Sequence, residues 1–184
     1  PLKQLIEAGF YVKAVVTVPD KPAGRGQKLQ QSAVKQFAIQ NNLPVLQPTR
    51  LRDEEFLNEL KTINADLFVV VAFRMLPELV WAMPPKGTIN LHASLLPQYR
   101  GAAPRNWAIM NRKQSTGVTT FMISQEIDTG RILLQKEDEI KADETAGELR
   151  DDLMNVVAKR MVVHVILLSE DKIKLVHHHK HIDL

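Results

Sequence analysis

Two apolar runs restrict what this chain can fold into: Tyr11 to Val18, rich in valine, and Leu67 to Ala72, apolar at every position. Runs this short and rich in β-branched residues read as buried strands, and Pro19 ends the first. Buried strands need cover above and below, and the sequence between them supplies it. Ser32 predicts the N-cap of a helix whose Val34, Phe37 and Ala38 form an apolar stripe, closed at Asn41-Asn42. Asp53 starts a second helix with Phe56, Leu57, Leu60 and Ile63 on one side. Pro44 to Leu46 gives a short strand between the two. Strand and helix in alternation predict an α/β fold: a doubly wound, mostly parallel sheet with helices on both faces. Ahead of the first strand, Leu2, Leu5 and Ile6 lie at helical spacing with Gly9 as a cap, so the sequence opens inside an element.

In sheets of this kind ligands bind beyond the carboxyl ends of the strands. That rule puts two segments on one rim: Phe73, Arg74, Met75 and Leu76 after the second apolar run, and Asn90 to Pro97 within TINLHASLLPQYRGAAP, Thr88 to Pro104. Asn90 and His92 have one residue between them, so on a strand their side chains share a face. An amide and an imidazole aimed together can both donate to one reacting carbonyl. The same pair can also end a strand and merely satisfy backbone groups. Ser94, Leu95, Leu96 and Pro97 make a rigid turn carrying a hydroxyl, and Pro104 leads a helix with Trp107 and Ile109. Val118 to Ile123 is a further strand running into Gln125 to Gly130, which places Asp128 past a strand end in a turn that Gly130 lets fold tightly. A short strand then ends at Gln135 and Lys136, and Thr145 to Leu168 reads as a long helix with Leu149, Leu153, Val156 and Val157 inward.

Charge matters by its position. Between Asp20 and Gln31 the sequence DKPAGRGQKLQQ sets Lys21, Arg25 and Lys28 against one carboxylate, too rich in Pro, Gly and charge to pack as a regular element. Glycines on either side of Arg25 let backbone approach a partner while the cations meet phosphates. A solvated mobile loop has the same composition. The overall net charge of +3 permits an anionic partner without demanding one. At 184 residues, 45% apolar, the chain is one domain's worth, read as a unit over 1–170 and a tail over 171–184. His177, His178, His179 and His181 in that tail lack a carboxylate or cysteine framework and read as tag-like or disordered, not as a metal site. With no cysteine there is neither disulfide nor thiolate metal site, which fits the cytoplasm. No run approaches the roughly 20 apolar residues that span a bilayer, and no signal peptide is visible.

NLHASLLPQYRGAAP followed by EIDTG resembles the Rossmann-like formyltransferases that use 10-formyltetrahydrofolate, in which an Asn-x-His pair and a later Asp form the active site. VPDKPAGRGQKL, with QNNLPVLQP after it, is similar to the branch of that family that acts on methionyl-tRNA. The resemblance runs from about Leu2 to Leu168. The strand and Gly-Thr-Pro turn with which such proteins begin do not precede the first helix here, and their carboxy-terminal tRNA-binding barrel does not follow, so the likeness is to the catalytic domain. Asn111-Arg112 stands where a glycine turn is common.

The resemblance implies formyl transfer from 10-formyltetrahydrofolate to the α-amine of initiator methionyl-tRNA, with no metal, no membrane and no obligatory protein partner. It implies catalytic roles for Asn90, His92 and Asp128. Ser94, Leu95, Leu96 and Pro97 would wall the folate, Phe73, Arg74, Met75 and Leu76 would line the pterin pocket, and Lys21, Arg25 and Lys28 would meet tRNA. Transfer to a small amine such as a sugar nucleotide, hydrolysis of the formyl folate, and an inactive folate- or RNA-binding fragment are the competing readings. The PAGRG stretch argues against the first two.

Overall fold

The structure, a computed structural model, describes residues 1–23, 28–100, 110–111, 115–126, 128, 130–140, 162–163, 165–166, 168 and 170. Helix α1 (Leu2–Glu7) ends as its sequence predicts: Gly9, at φ +84°, donates to the Ile6 carbonyl and Phe10 to that of Leu5, which closes the helix in a left-handed turn. Strand β1 (Val15–Val16) leads to a hairpin of β2 (Lys21–Ala23) and β3 (Lys28–Gln30). Helix α2 (Ala33–Gln40) is capped by Ser32, whose hydroxyl accepts from the Lys35 amide at 3.2 Å. Then come β4 (Val45–Leu46), α3 (Glu54–Ile63), β5 (Phe68–Val71), α4 (Glu78–Trp81), β6 (Thr88–His92), β7 (Ser115–Met122) and β8 (Ile132–Glu139).

The expected α/β layering is present, and the strand pairings are mixed. β1 pairs with β4 and β5 with β6 in parallel, while β7 and β8 extend the second sheet in the antiparallel sense, in the order β5-β6-β7-β8. β5 shows why a wholly apolar run belongs here: Phe68 packs with Leu46, Leu51, Phe56, Leu60 and Val80, whereas Val69 and Val71 pack with Leu5, Ile89, Leu91, Val118, Leu133 and Val165. Successive side chains point to opposite faces, so two apolar clusters demand apolar residues at every position.

Two expectations need correction. The run from Tyr11 to Val18 yields only a two-residue strand, because among the described residues only the equally short β4 pairs with it. The basic stretch after Asp20 is also not irregular: Lys21 pairs with Gln30, Pro22 with Leu29 and Ala23 with Lys28. A hairpin satisfies its backbone by pairing with itself and needs no apolar cover, so Leu29 is 70% exposed and the composition gives no warning. Between β1 and β5 lies a cavity of about 1030 Å³, lined mostly by apolar residues of α1, α2, α3 and both strands and reaching Phe73 and Leu76. The helix expected to begin at Pro104, the inward residues Leu149, Leu153, Val156 and Val157, and the histidine-rich tail lie outside the described residues.

Candidate active site

Strand β6 sorts its residues by parity. Ile89 and Leu91 enter the core at 1% and 7% exposure, leaving Thr88, Asn90 and His92 on the opposite face. Thr88 anchors that face through a 2.7 Å hydrogen bond from its hydroxyl to the Trp81 carbonyl. Asn90 lies between Val70 of β5 and Phe121 of β7, and His92 is paired with Thr119. The shared face expected of the amide and the imidazole is therefore present, with an apolar border on each side of the amide.

The imidazole is hydrogen-bonded at one nitrogen and faces a carboxylate with the other. Nε2 lies 2.8 Å from the Tyr99 carbonyl, which can only accept, so Nε2 carries hydrogen. Nδ1 then faces Asp128, whose Oδ2 is 3.8 Å away, both side chains being about nine-tenths buried. Asp128 reaches this place by a route the sequence does not disclose. Because β7 runs antiparallel to β6, it ends beside Ile89, three residues or about 10 Å short of His92 along the strand. The connection to β8 must come back over the face to bring Asp128 there, with Asp128 itself in the left-handed region at φ +51°. Gly130 makes the return possible by close approach: a Cβ on it would stand 1.5 Å from the Met122 carbonyl oxygen.

Beyond His92 the chain turns sharply. Ser94 is fully buried and its hydroxyl donates to the Gln98 carbonyl at 2.6 Å, Gln98 donates its amide to Leu95, and the Leu96-Pro97 peptide is cis. With Ser94 so engaged and Leu96 at 3% exposure, a ligand on this turn would meet half-buried Leu95, exposed Pro97 and the backbone. Thr119 of β7 and Gln135 of β8, neither expected from the sequence, hold the turn from behind. The signal that could have found Thr119 is non-local, its register opposite His92, and no spacing within the chain encodes it.

The remaining candidates are spread along the rim. Phe73 is half-buried and Met75 is 73% exposed, both following β5 on the same rim as the turn after β6. Arg74 does not point into a pocket with them: its guanidinium donates to the carbonyls of Pro48 and Thr49 and lies 5.6 Å from the Phe73 ring centre. Lys21 is exposed on β2, Lys28 lies on β3, and Arg25 falls outside the described residues. Among the described residues no cluster of His, Cys, Asp and Glu has the makings of a metal site, and no helix is long and apolar enough to cross a membrane.

Comparison with known proteins bears on this geometry. The chain is 59% identical over 155 residues to a methionyl-tRNA formyltransferase of Flavobacterium johnsoniae, an alignment covering 84% of this chain and 49% of that protein. The chain spans about half the length of the curated relatives it matches. Among solved structures, a phosphoribosylglycinamide formyltransferase from Anaplasma phagocytophilum superposes with a TM-score of 0.78 at 23% identity, covering 94% of this chain and 83% of that one. A formyltransferase from Anoxybacillus kamchatkensis, solved with a UDP-linked formamido sugar and tetrahydrofolate, gives 0.65 at 23% identity over 92% and 82%. The family profile described as formyl transferase matches residues 2–166, nearly all of the sequence that carries the sheet, the turn and the His92–Asp128 pair. This chain belongs to the formyl transferase family.

Proposed function

We propose that the protein transfers a formyl group from 10-formyltetrahydrofolate to the α-amine of initiator methionyl-tRNA, and so acts in the cytoplasm at the start of translation. The observation that carries this reading is the approach of Asp128 to His92 at the end of the strand whose face Asn90 shares, in a chain whose relatives at more than half identity are methionyl-tRNA formyltransferases. Folate as the donor is supported by the tetrahydrofolate bound to the Anoxybacillus homologue of this fold.

The chemistry follows from what each group can do. The amine attacks the formyl carbon, a C–N bond forms, and the carbonyl oxygen becomes an oxyanion. Asn90 offers amide N–H groups to that oxygen, and His92, with Nε2 committed to Tyr99, has Nδ1 left to offer when it carries hydrogen. Asp128, 3.8 Å from Nδ1, is placed to accept the proton that the attacking amine loses. Collapse of the oxyanion breaks the bond to the folate nitrogen, which leaves with a proton returned through the same carboxylate or a water.

The test is a formyl-transfer assay with charged initiator tRNA set against free amines and nucleotide sugars. Transfer to the tRNA at a rate at least on the order of 100-fold above the small amines supports the reading, and the reverse preference overturns it. For the basic stretch of sequence, Arg25→Ala should raise KM for tRNA and leave turnover on a truncated aminoacyl substrate within about threefold. Equal losses on both substrates would assign Arg25 to the chemistry or the fold.

A further inference from the structure

Thr119 stands out because its chemistry exceeds what its strand needs. It is fully buried in the middle of β7, paired with His92 on one side and Gln135 on the other. Valine has the same shape, favours strands equally and carries no polar atom to desolvate. The hydroxyl is nevertheless used to its full capacity, one hydrogen donated and two accepted. It donates to the Ser94 carbonyl at 2.7 Å and accepts from the Leu96 amide at 3.0 Å and from Gln135 Nε2 at 3.1 Å. The same Gln135 nitrogen donates to the Leu96 carbonyl at 2.6 Å.

Three backbone atoms of one turn are thus fixed by two side chains from other strands. That turn starts two residues after His92 and ends at Tyr99, whose carbonyl holds the His92 ring. Its far end is therefore tied to the imidazole, and its first half, Ser94 to Leu96, to Thr119. We propose that Thr119, backed by Gln135, is a positioning residue for the formyl donor, acting through the backbone of Ser94 to Leu96. This rests on the reading that the turn walls the folate site. Gln135 is exposed, so water replaces much of what its loss removes, and Thr119 carries the larger share.

Thr119→Val keeps the shape and removes the hydroxyl, Thr119→Ser keeps the hydroxyl, and Gln135→Ala trims the outer support. In the formyl-transfer assay Thr119→Val should raise KM for the donor on the order of tenfold, with kcat and KM for the acceptor within about threefold. Thr119→Ser should restore wild-type behaviour, and Gln135→Ala should shift donor KM by about two- to threefold. Titration with tetrahydrofolate should give the same order among the variants, and amide hydrogen exchange at Leu96 should quicken in Thr119→Val with β6 still protected. An unchanged donor KM in Thr119→Val, or equal losses in kcat and both KM values, overturns the proposal and makes Thr119 a core residue. If Thr119→Val does not fold, the donor KM and tetrahydrofolate affinity of Gln135→Ala decide, and wild-type values there overturn it. A wild-type protein that binds tetrahydrofolate but does not formylate tRNA sinks the proposed function and leaves this inference standing. One that does not bind tetrahydrofolate sinks both.

Discussion

The His92 ring has one nitrogen spent on a backbone carbonyl and one turned to a carboxylate, so its orientation is fixed before any substrate arrives. Replacing Asn90 or His92 with Ala should lower turnover by at least on the order of 100-fold, the cost of removing a donor aimed at an oxyanion. Asp128→Ala should cost on the order of 100- to 10,000-fold as proton transfer is lost. Single-turnover rates, with circular dichroism to confirm folding, measure both; a near-normal rate in any one variant removes that residue from its role. A different acid tests stability. The Lys35 ammonium donates to Asp20 at 2.6 Å and Gln47 adds a bond at 2.8 Å, and together they hold the Asp20 carboxyl below its ordinary value of 3.8. A depressed native pKa stabilises the fold above the ordinary value and loses that contribution as pH falls through the lowered one. Denaturant midpoints should therefore drop more steeply below about pH 4 in the wild type than in Asp20→Asn, and parallel curves would assign the acid loss to other carboxylates.

The second sheet depends on glycines where strands and returns come close. A Cβ at Gly117 would sit 2.1 Å from the Lys136 carbonyl oxygen, and one at Gly130 closer still to that of Met122. Backbone atoms cannot yield as a flexible side chain does, so Gly117→Ala and Gly130→Ala should each destabilise by about 1–3 kcal/mol or more, read from urea unfolding. Gly130→Ala should in addition reduce turnover more than Gly117→Ala, because the return it permits carries Asp128 to His92; equal activities would separate the loop path from the chemistry. The starts of α2 and α3 at Ser32 and Asp53 were legible because a 3.6-residue period is local, and at Ser32 so is the side-chain cap. The hairpin over Lys21 to Gln30 was not, since its pairing compensates for a composition that by itself says loop.

Across the whole molecule, net charge is modest at +3. With Lys21 on β2 and Lys28 on β3, the proposed tRNA binding should weaken as salt rises, and removing one phosphate contact should reduce the log–log slope by about 0.7 to 0.9. Filter binding of Lys21→Ala across a salt series measures this, and an unchanged slope would place the phosphates elsewhere. The proposed small-molecule chemistry should be insensitive to the same change, because Lys21 lies on the hairpin and is exposed.

The sequence by itself determined the α/β class, the presence of α1, α2 and α3, the rim formed by the ends of β5 and β6, and the common face of Asn90 and His92. All of these follow from periods of 2.0 or 3.6 residues and from residues close together in the chain. Only the tertiary structure decided that β7 runs antiparallel, that Asp128 must fold back to reach His92, and that Thr119 holds the turn between them. Those are contacts between segments more than 20 residues apart, set by strand order and register, and no local pattern records which strand will lie beside which.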